Sequence, residues 1–115
     1  ENANLFTTLF NDHPYLQIQK EISLSSWFGF SLVIKEGSGF ERKQIVSKLV
    51  ENGIECRPIV TGNFAKNEVI NYFDYEISGS LKNAEYLDKN GFFVGNHQVD
   101  IKDMILTLTH VLAEI

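Results

Sequence analysis

The chain has 115 residues, enough for one domain with a real core and too few for two. Its 43% hydrophobic and 22% charged residues are ordinary for a globular protein, and a net charge of −5 with scattered Lys and Arg argues against nucleic acid as a partner. A lone cysteine, Cys56, excludes an intrachain disulfide and a paired-cysteine zinc site; no apolar run approaches the roughly 18 residues of a membrane span, and the first residues lack the basic start of a signal peptide, so a reducing, cytoplasmic setting and no metal are expected.

Leu5, Phe6 and Leu9 fall at helical spacing with no capping residue before them, so residues 1–10 read as the end of a helix whose earlier turns lie upstream. Asn11-Asp12-His13-Pro14 is a turn, and Tyr15 to Gln19 alternates as a short edge strand. In SSWFGFSLVIK, residues 25–35, Phe28, Phe30, Leu32 and Ile34 share one face and Trp27, Gly29, Ser31 and Val33 the other, which predicts a strand. Trp27 and the outer face of the first helix are the expected places for an exposed apolar patch.

Residues 41–51 predict an amphipathic helix closed by Asn52-Gly53 as a left-handed cap, with Ile54 packing back on its last turn. Ile54 to Val60 then reads as a buried strand that breaks at Thr61-Gly62-Asn63, and an irregular region follows. A helix over 81–89, with Ser80 as its N-cap, ends in a second Asn-Gly pair, Asn90-Gly91, read as the same left-handed cap. A short strand at 92–94 leads to Gly95-Asn96-His97-Gln98, and Asp100 opens a final helix striped by Ile101, Met104, Ile105, Leu108, Val111 and Leu112. The order predicts an α+β two-layer sandwich, a small, mostly antiparallel sheet with helices on one face.

Few residues in this frame point to chemistry. Arg57 beside Pro58 has two readings: a surface pair with a carboxylate such as Glu55 or Glu41, worth under about 1 kcal/mol, or a planar fork held by the proline and aimed at a ligand anion. Gly62 allows a close backbone approach and Asn63 offers a donor and an acceptor, which favours the second. Cys56 reads as a packed strand residue, since no histidine is placed to serve it as a base. His97, in a loop at a strand's end, is a candidate site residue or a turn histidine; His13 and His110 read as structural or exposed. No phosphate loop, nucleophile elbow or catalytic carboxylate pair is present.

The succession SSWFGFSLVIK, NGIECRPIVTGNF, NAEYLDKNGFFVGNH and VDIKDMILTLTHVL resembles, over nearly the whole chain, the C-terminal small domain of the DegT/StrS sugar-nucleotide aminotransferases, fold-type I pyridoxal-phosphate enzymes. The branch it most resembles is the CDP-4-keto-6-deoxyglucose 3-dehydrase group, which uses pyridoxamine phosphate to remove a sugar hydroxyl. Two stretches depart from the family pattern: Phe64-Ala-Lys-Asn-Glu stands where a polar stretch ending in Gln-Pro is usual, and Gly-Asn-His-Gln replaces a common ending in proline.

The resemblance implies that residues 1–10 end the helix joining a large and a small domain, and that 1–115 form that small domain. It implies that Arg57, Asn63 and His97 face a cleft holding a nucleotide-linked keto-deoxy sugar, without catalytic residues here. Pyridoxamine or pyridoxal phosphate would be held by the large domain of the same chain, in a homodimer serving deoxysugar and lipopolysaccharide O-antigen synthesis. An aminotransferase domain is the alternative, separated from a dehydrase by one upstream position; a freestanding α+β binding module is a second.

Overall fold

Period-two alternation in residues 29–34 builds the central strand. The computed structural model describes residues 1–115, and in it β1 (Leu16–Ile18), β2 (Gly29–Ile34), β3 (Cys56–Arg57) and β4 (Gly91–Gly95) form one antiparallel sheet in the order β1-β2-β4-β3. Phe30, Leu32 and Ile34 point to one face and are at most 2% exposed. Phe92 and Val94 of β4 join them there, because Leu32 pairs with Phe92 and Phe30 with Val94.

Three helices cover that face: α1 (Asn2–Phe10), α2 (Arg42–Glu51) and α4 (Lys102–Ala113), the last following α3 (Lys82–Asn90) in the chain. Phe6 stacks on Phe10 at 4.7 Å and on Phe30 at 4.3 Å, while Ile45, Leu49, Ile105, Leu108, Val111 and Leu112 complete the core. Each such burial stabilises by about 1.5–3 kcal/mol. The α+β class and the chain order of elements are those the sequence predicts. The fourth helix, α3, adds to that expectation, lying against β2 and β4 on the reverse face with none of its side chains fully buried. Tyr86 anchors it, its hydroxyl donating to Ile34 O at 2.5 Å.

Several expectations are corrected. The strand of residues 25–35 begins only at Gly29, because Trp27 adopts φ 50, a left-handed backbone unusual for a bulky residue. That turn reverses the two side chains. Trp27 is 7% exposed and packs 6.0 Å from Phe30, whereas Phe28 is 86% exposed. The exposed patch therefore belongs to Phe28, not Trp27. One near and one distant contact hold the turn: Trp27 Nε1 donates to Glu21 Oε1, six residues back, at 3.1 Å, and Asn96 Nδ2 donates to Trp27 O at 2.7 Å. On α1, the outward patch reduces to Leu9.

The strand expected over 54–60 shrinks to Cys56 and Arg57. Ile54 is buried as the residue that closes α2, its N–H reaching Leu49 O at 3.0 Å past Gly53 at φ 79, while Val60 is exposed with φ 41. Gly91 is not a left-handed cap: its φ is −98 and its ψ 148, an extended backbone. A Cβ there would lie 2.5 Å from Ile59 Cδ1 and 2.6 Å from Leu87 O, so this glycine serves close packing instead. Arg42 closes the end of α3 from outside, donating through Nη1 to Asp88 O at 2.5 Å and Gly91 O at 3.2 Å. The N-caps fall one residue later than expected, at Leu81 and Ile101, while Ser80 and Asp100 just before them accept the N–H of Lys82 at 3.2 Å and of Lys102 at 2.9 Å.

Candidate functional site

The short strand β3 divides its two side chains between the faces of the sheet. Cys56 pairs with Val94 and turns inward, packed against the core; Arg57 pairs with Phe93 and turns outward. Burial, and then the Glu55 carboxylate, push the Cys56 thiol from 9.0 up to about 11, so at neutral pH it is a packed thiol and not a nucleophile.

Arg57 lies in a cleft of about 660 Å³ at this edge of the sheet, with Phe28, Pro58, Val60, Phe93 and Met104 among its walls. Its Nε and Nη2 both donate to Glu55 Oε1, at 2.8 and 2.5 Å, and both side chains are more than half exposed. An exposed pair of this kind contributes under about 1 kcal/mol, so it is readily exchanged for a ligand anion. Both readings of Arg57 thus have a physical basis in one place: a surface pair now, and a guanidinium standing in a cleft. No lysine lines the cleft, and no three His, Cys, Asp or Glu side chains converge anywhere as a metal site.

The other two candidates stand apart from it. Asn63 is 4% exposed, and its Oδ1 accepts the N–H of Ala65 at 3.2 Å, starting the 3-10 turn Phe64–Lys66. The close approach foreseen at Gly62 is to Asp88 of α3, whose Oδ1 would sit 2.0 Å from a Cβ at that position. Asn63 lines neither the Arg57 cleft nor the recess that holds His97.

That recess, of about 310 Å³, lies between α1 and the loop after β4 and includes Asn2, Trp27 and His97. His97 is exposed; its Nδ1 accepts the N–H of Val99 at 3.2 Å, which directs Nε2 outward. Asn2 fastens the loop, donating to His97 O at 2.9 Å and Val99 O at 2.8 Å while accepting the N–H of Ile101 at 3.3 Å. His13 stacks on Phe10 and is held below its usual pKa by burial and then Lys35, while His110 pairs with Glu114 at 3.2 Å on the surface.

Sequence reasoning assigned no cleft role to Phe28 or Phe93. Their rings lie 6.1 Å apart at 49°, beside Arg57. The one signal for them was a glycine inside a strand pattern, Gly29, which marks a close approach: a Cβ there would meet Phe93 Cδ2 at 2.8 Å.

Comparison with known proteins bears on this arrangement. No family model matches the chain. It is 56% identical over 113 residues to a GDP-4-keto-6-deoxy-D-mannose 3-dehydratase of Yersinia pseudotuberculosis, and 58% identical over 113 residues to the protein of the same name from Escherichia coli O55:H7; each match covers 97% of this chain and 29% of the relative. Over nearly its whole length the chain is similar to these 3-dehydratases.

It spans 29% of the length of the curated relatives it matches. A solved E. coli GDP-4-keto-6-deoxy-D-mannose 3-dehydratase with bound hydrated pyridoxal phosphate superposes with a TM-score of 0.94 at 59% identity, over 96% of this chain and 29% of that one. A variant of such an enzyme, solved with bound GDP-perosamine, gives a TM-score of 0.94 at 58% identity over the same shares. An aminotransferase of pseudoaminic acid biosynthesis from Helicobacter pylori shares the fold, with a TM-score of 0.74 at 16% identity, over 97% of this chain and 30% of that one. The nucleotide in the names of the close relatives is GDP, where the branch resembled in sequence carries CDP. No helix is long and apolar enough to cross a membrane.

Proposed function

We propose that these residues are the C-terminal small domain of a DegT/StrS-family 3-dehydratase that acts on a GDP-linked 4-keto-6-deoxyhexose, in deoxysugar and lipopolysaccharide O-antigen synthesis. The observation that carries this reading is the identity of 56–58% over 97% of the chain to proteins of that activity. The rest of the enzyme precedes α1, whose residues 1–10 continue the helix joining the two domains. The full chain works in the cytoplasm as a homodimer.

The cofactor of such an enzyme is pyridoxamine or pyridoxal phosphate, and its chemistry is electron withdrawal from the sugar. The residues here do not fit it by themselves. The cleft contains no lysine, and its one cation, Arg57, already faces Glu55. The large domain holds the cofactor, and this domain supplies one wall of the substrate cleft.

On that wall Arg57 exchanges Glu55 for a phosphate or sugar oxygen, positioning the substrate without transferring a proton. His97 offers Nε2 from its own recess, and Asn63 braces the turn Phe64–Lys66 beyond the cleft wall.

The test is kinetic, on the full-length enzyme. Arg57→Lys should lose nearly as much as Arg57→Ala, because an ammonium cannot reproduce the two-pronged guanidinium. A charge-assisted contact of about 1.5–3 kcal/mol corresponds to a drop in kcat/KM of roughly ten- to a hundredfold. Unchanged kinetics in both variants would return Arg57 to a surface pair.

A further inference from the structure

Arg57 and Phe93 are direct partners across β3 and β4, so both side chains leave the sheet on the same face. Phe93 lies close over β2 because Gly29 has no Cβ to hold it off, and Phe28 stands at its edge, 86% exposed. Val60, another apolar side chain at this edge, is 81% exposed and held at φ 41, a conformation that costs a β-branched residue and gathers at binding sites. A cation therefore sits directly beside an open aromatic wall.

We propose that Phe28 and Phe93 form a subsite for the apolar, methyl-bearing edge of a 6-deoxyhexose whose oxygens are held by Arg57; this rests on the reading of the cleft given above. The lining favours the sugar over the base. Apart from Arg57 and Glu55, which engage each other, the walls are chiefly apolar, with Phe28, Pro58, Val60, Phe93 and Met104. A guanine edge would find few groups there to read its donors and acceptors, and each left unpaired would weaken binding. A deoxyhexose meets the wall with a methyl and ring C–H groups and needs no polar partner there. The consequence is selectivity: a hydroxyl on C6 would be turned against carbon. An apolar site rejects an added hydroxyl only modestly, on the order of a hundredfold at most.

The experiment measures equilibrium binding to the full-length enzyme of three probes: GDP-6-deoxymannose, GDP-mannose and GDP. The native enzyme should favour GDP-6-deoxymannose over GDP-mannose by about tenfold or more. Phe28→Ala should abolish that preference and leave GDP affinity unchanged, while Phe28→Leu should keep most of it. Phe28 is exposed, and an unchanged melting curve would show that the fold is intact. Equal weakening of all three probes by Phe28→Ala would place the nucleobase on the wall and overturn the proposal. No change with any probe would mean that the ring is covered by protein, which overturns it as well. Arg57→Ala is the independent arm: if it alters none of the affinities, the cleft reading fails whatever Phe28 does.

Discussion

Phe30, Leu32 and Ile34 are at most 2% exposed, whereas Tyr72, Phe73, Tyr75 and Ile77 are all more than half exposed. Both stretches are rich in aromatic and branched side chains. They differ in what pairs with them. In β2 a period of two sends every large apolar group to the face that α1, α2 and α4 cover. Phe73, Tyr75 and Ile77 alternate with Asp74 and Glu76 in the same way, yet no strand pairs with them, and from Phe64 the backbone forms only the 3-10 turns Phe64–Lys66 and Glu68–Tyr72, which bury none of their apolar side chains. Hydrophobic content thus sets how much surface asks to be covered, and pairing within the sheet decides whether this domain can cover it. On the function proposed above, the uncovered stretch belongs against the remainder of the enzyme.

The sharpest way to break that contrast is to truncate one ring from each stretch. Phe30→Ala should destabilise by about 3–5 kcal/mol, since it removes the ring stacked on Phe6 and leaves a cavity. Tyr72→Ala, at 87% exposed, should stay within about 0.5 kcal/mol in the 115-residue chain. Urea unfolding of both variants measures the difference. Similar losses would mean that the 3-10 segment is part of the core after all.

A second pair sharpens the border between the two stretches. Gly91→Ala should cost about 1–3 kcal/mol, because the new methyl meets Ile59 and the backbone oxygen of Leu87. Gly53→Ala meets no neighbour and should cost only the left-handed penalty of about 1–2 kcal/mol, so it should be the milder change by thermal melting.

These two glycines also show what the sequence could and could not reveal. Asn52-Gly53-Ile54 and Asn90-Gly91-Phe92 look alike as local text. The first is a cap because its cause is local, the turn of α2 on itself. The second owes its shape to Ile59, more than thirty residues earlier, which no window of neighbouring letters displays. The same holds at the site. That Arg57 stands outward follows from strand alternation, but its place beside Phe93 depends on the register of β3 on β4. Trp27-Phe28 continues the alternation of β2 perfectly in sequence; the positive φ that reverses it is held by Glu21 and Asn96. Patterns repeated along the chain were legible, and contacts across it were not.

The smallest expected effect lies at the seam, where Cys56 faces in and Arg57 faces out. Because the folded thiol titrates near 11 instead of 9.0, its contribution to stability is complete below pH 9 and is lost as pH rises toward 11. At pH 8 a thiol-reactive dye should label the native chain far more slowly than the urea-unfolded one, and Cys56→Ala should flatten the alkaline loss of stability. Equal labelling rates would mean that β3 does not hold the thiol inside.

The hydrogen bonds of Asn2 have a mechanical consequence. One amide near the start of α1 grips the carbonyls of His97 and Val99 and the N–H of Ile101, so the beginning of α1, the loop after β4 and the entry to α4 are tied together. A tilt of α1 would be carried to His97 through these bonds. Asn2 is a coupling pin: it ties the start of α1 to a histidine nearly a hundred residues away in sequence.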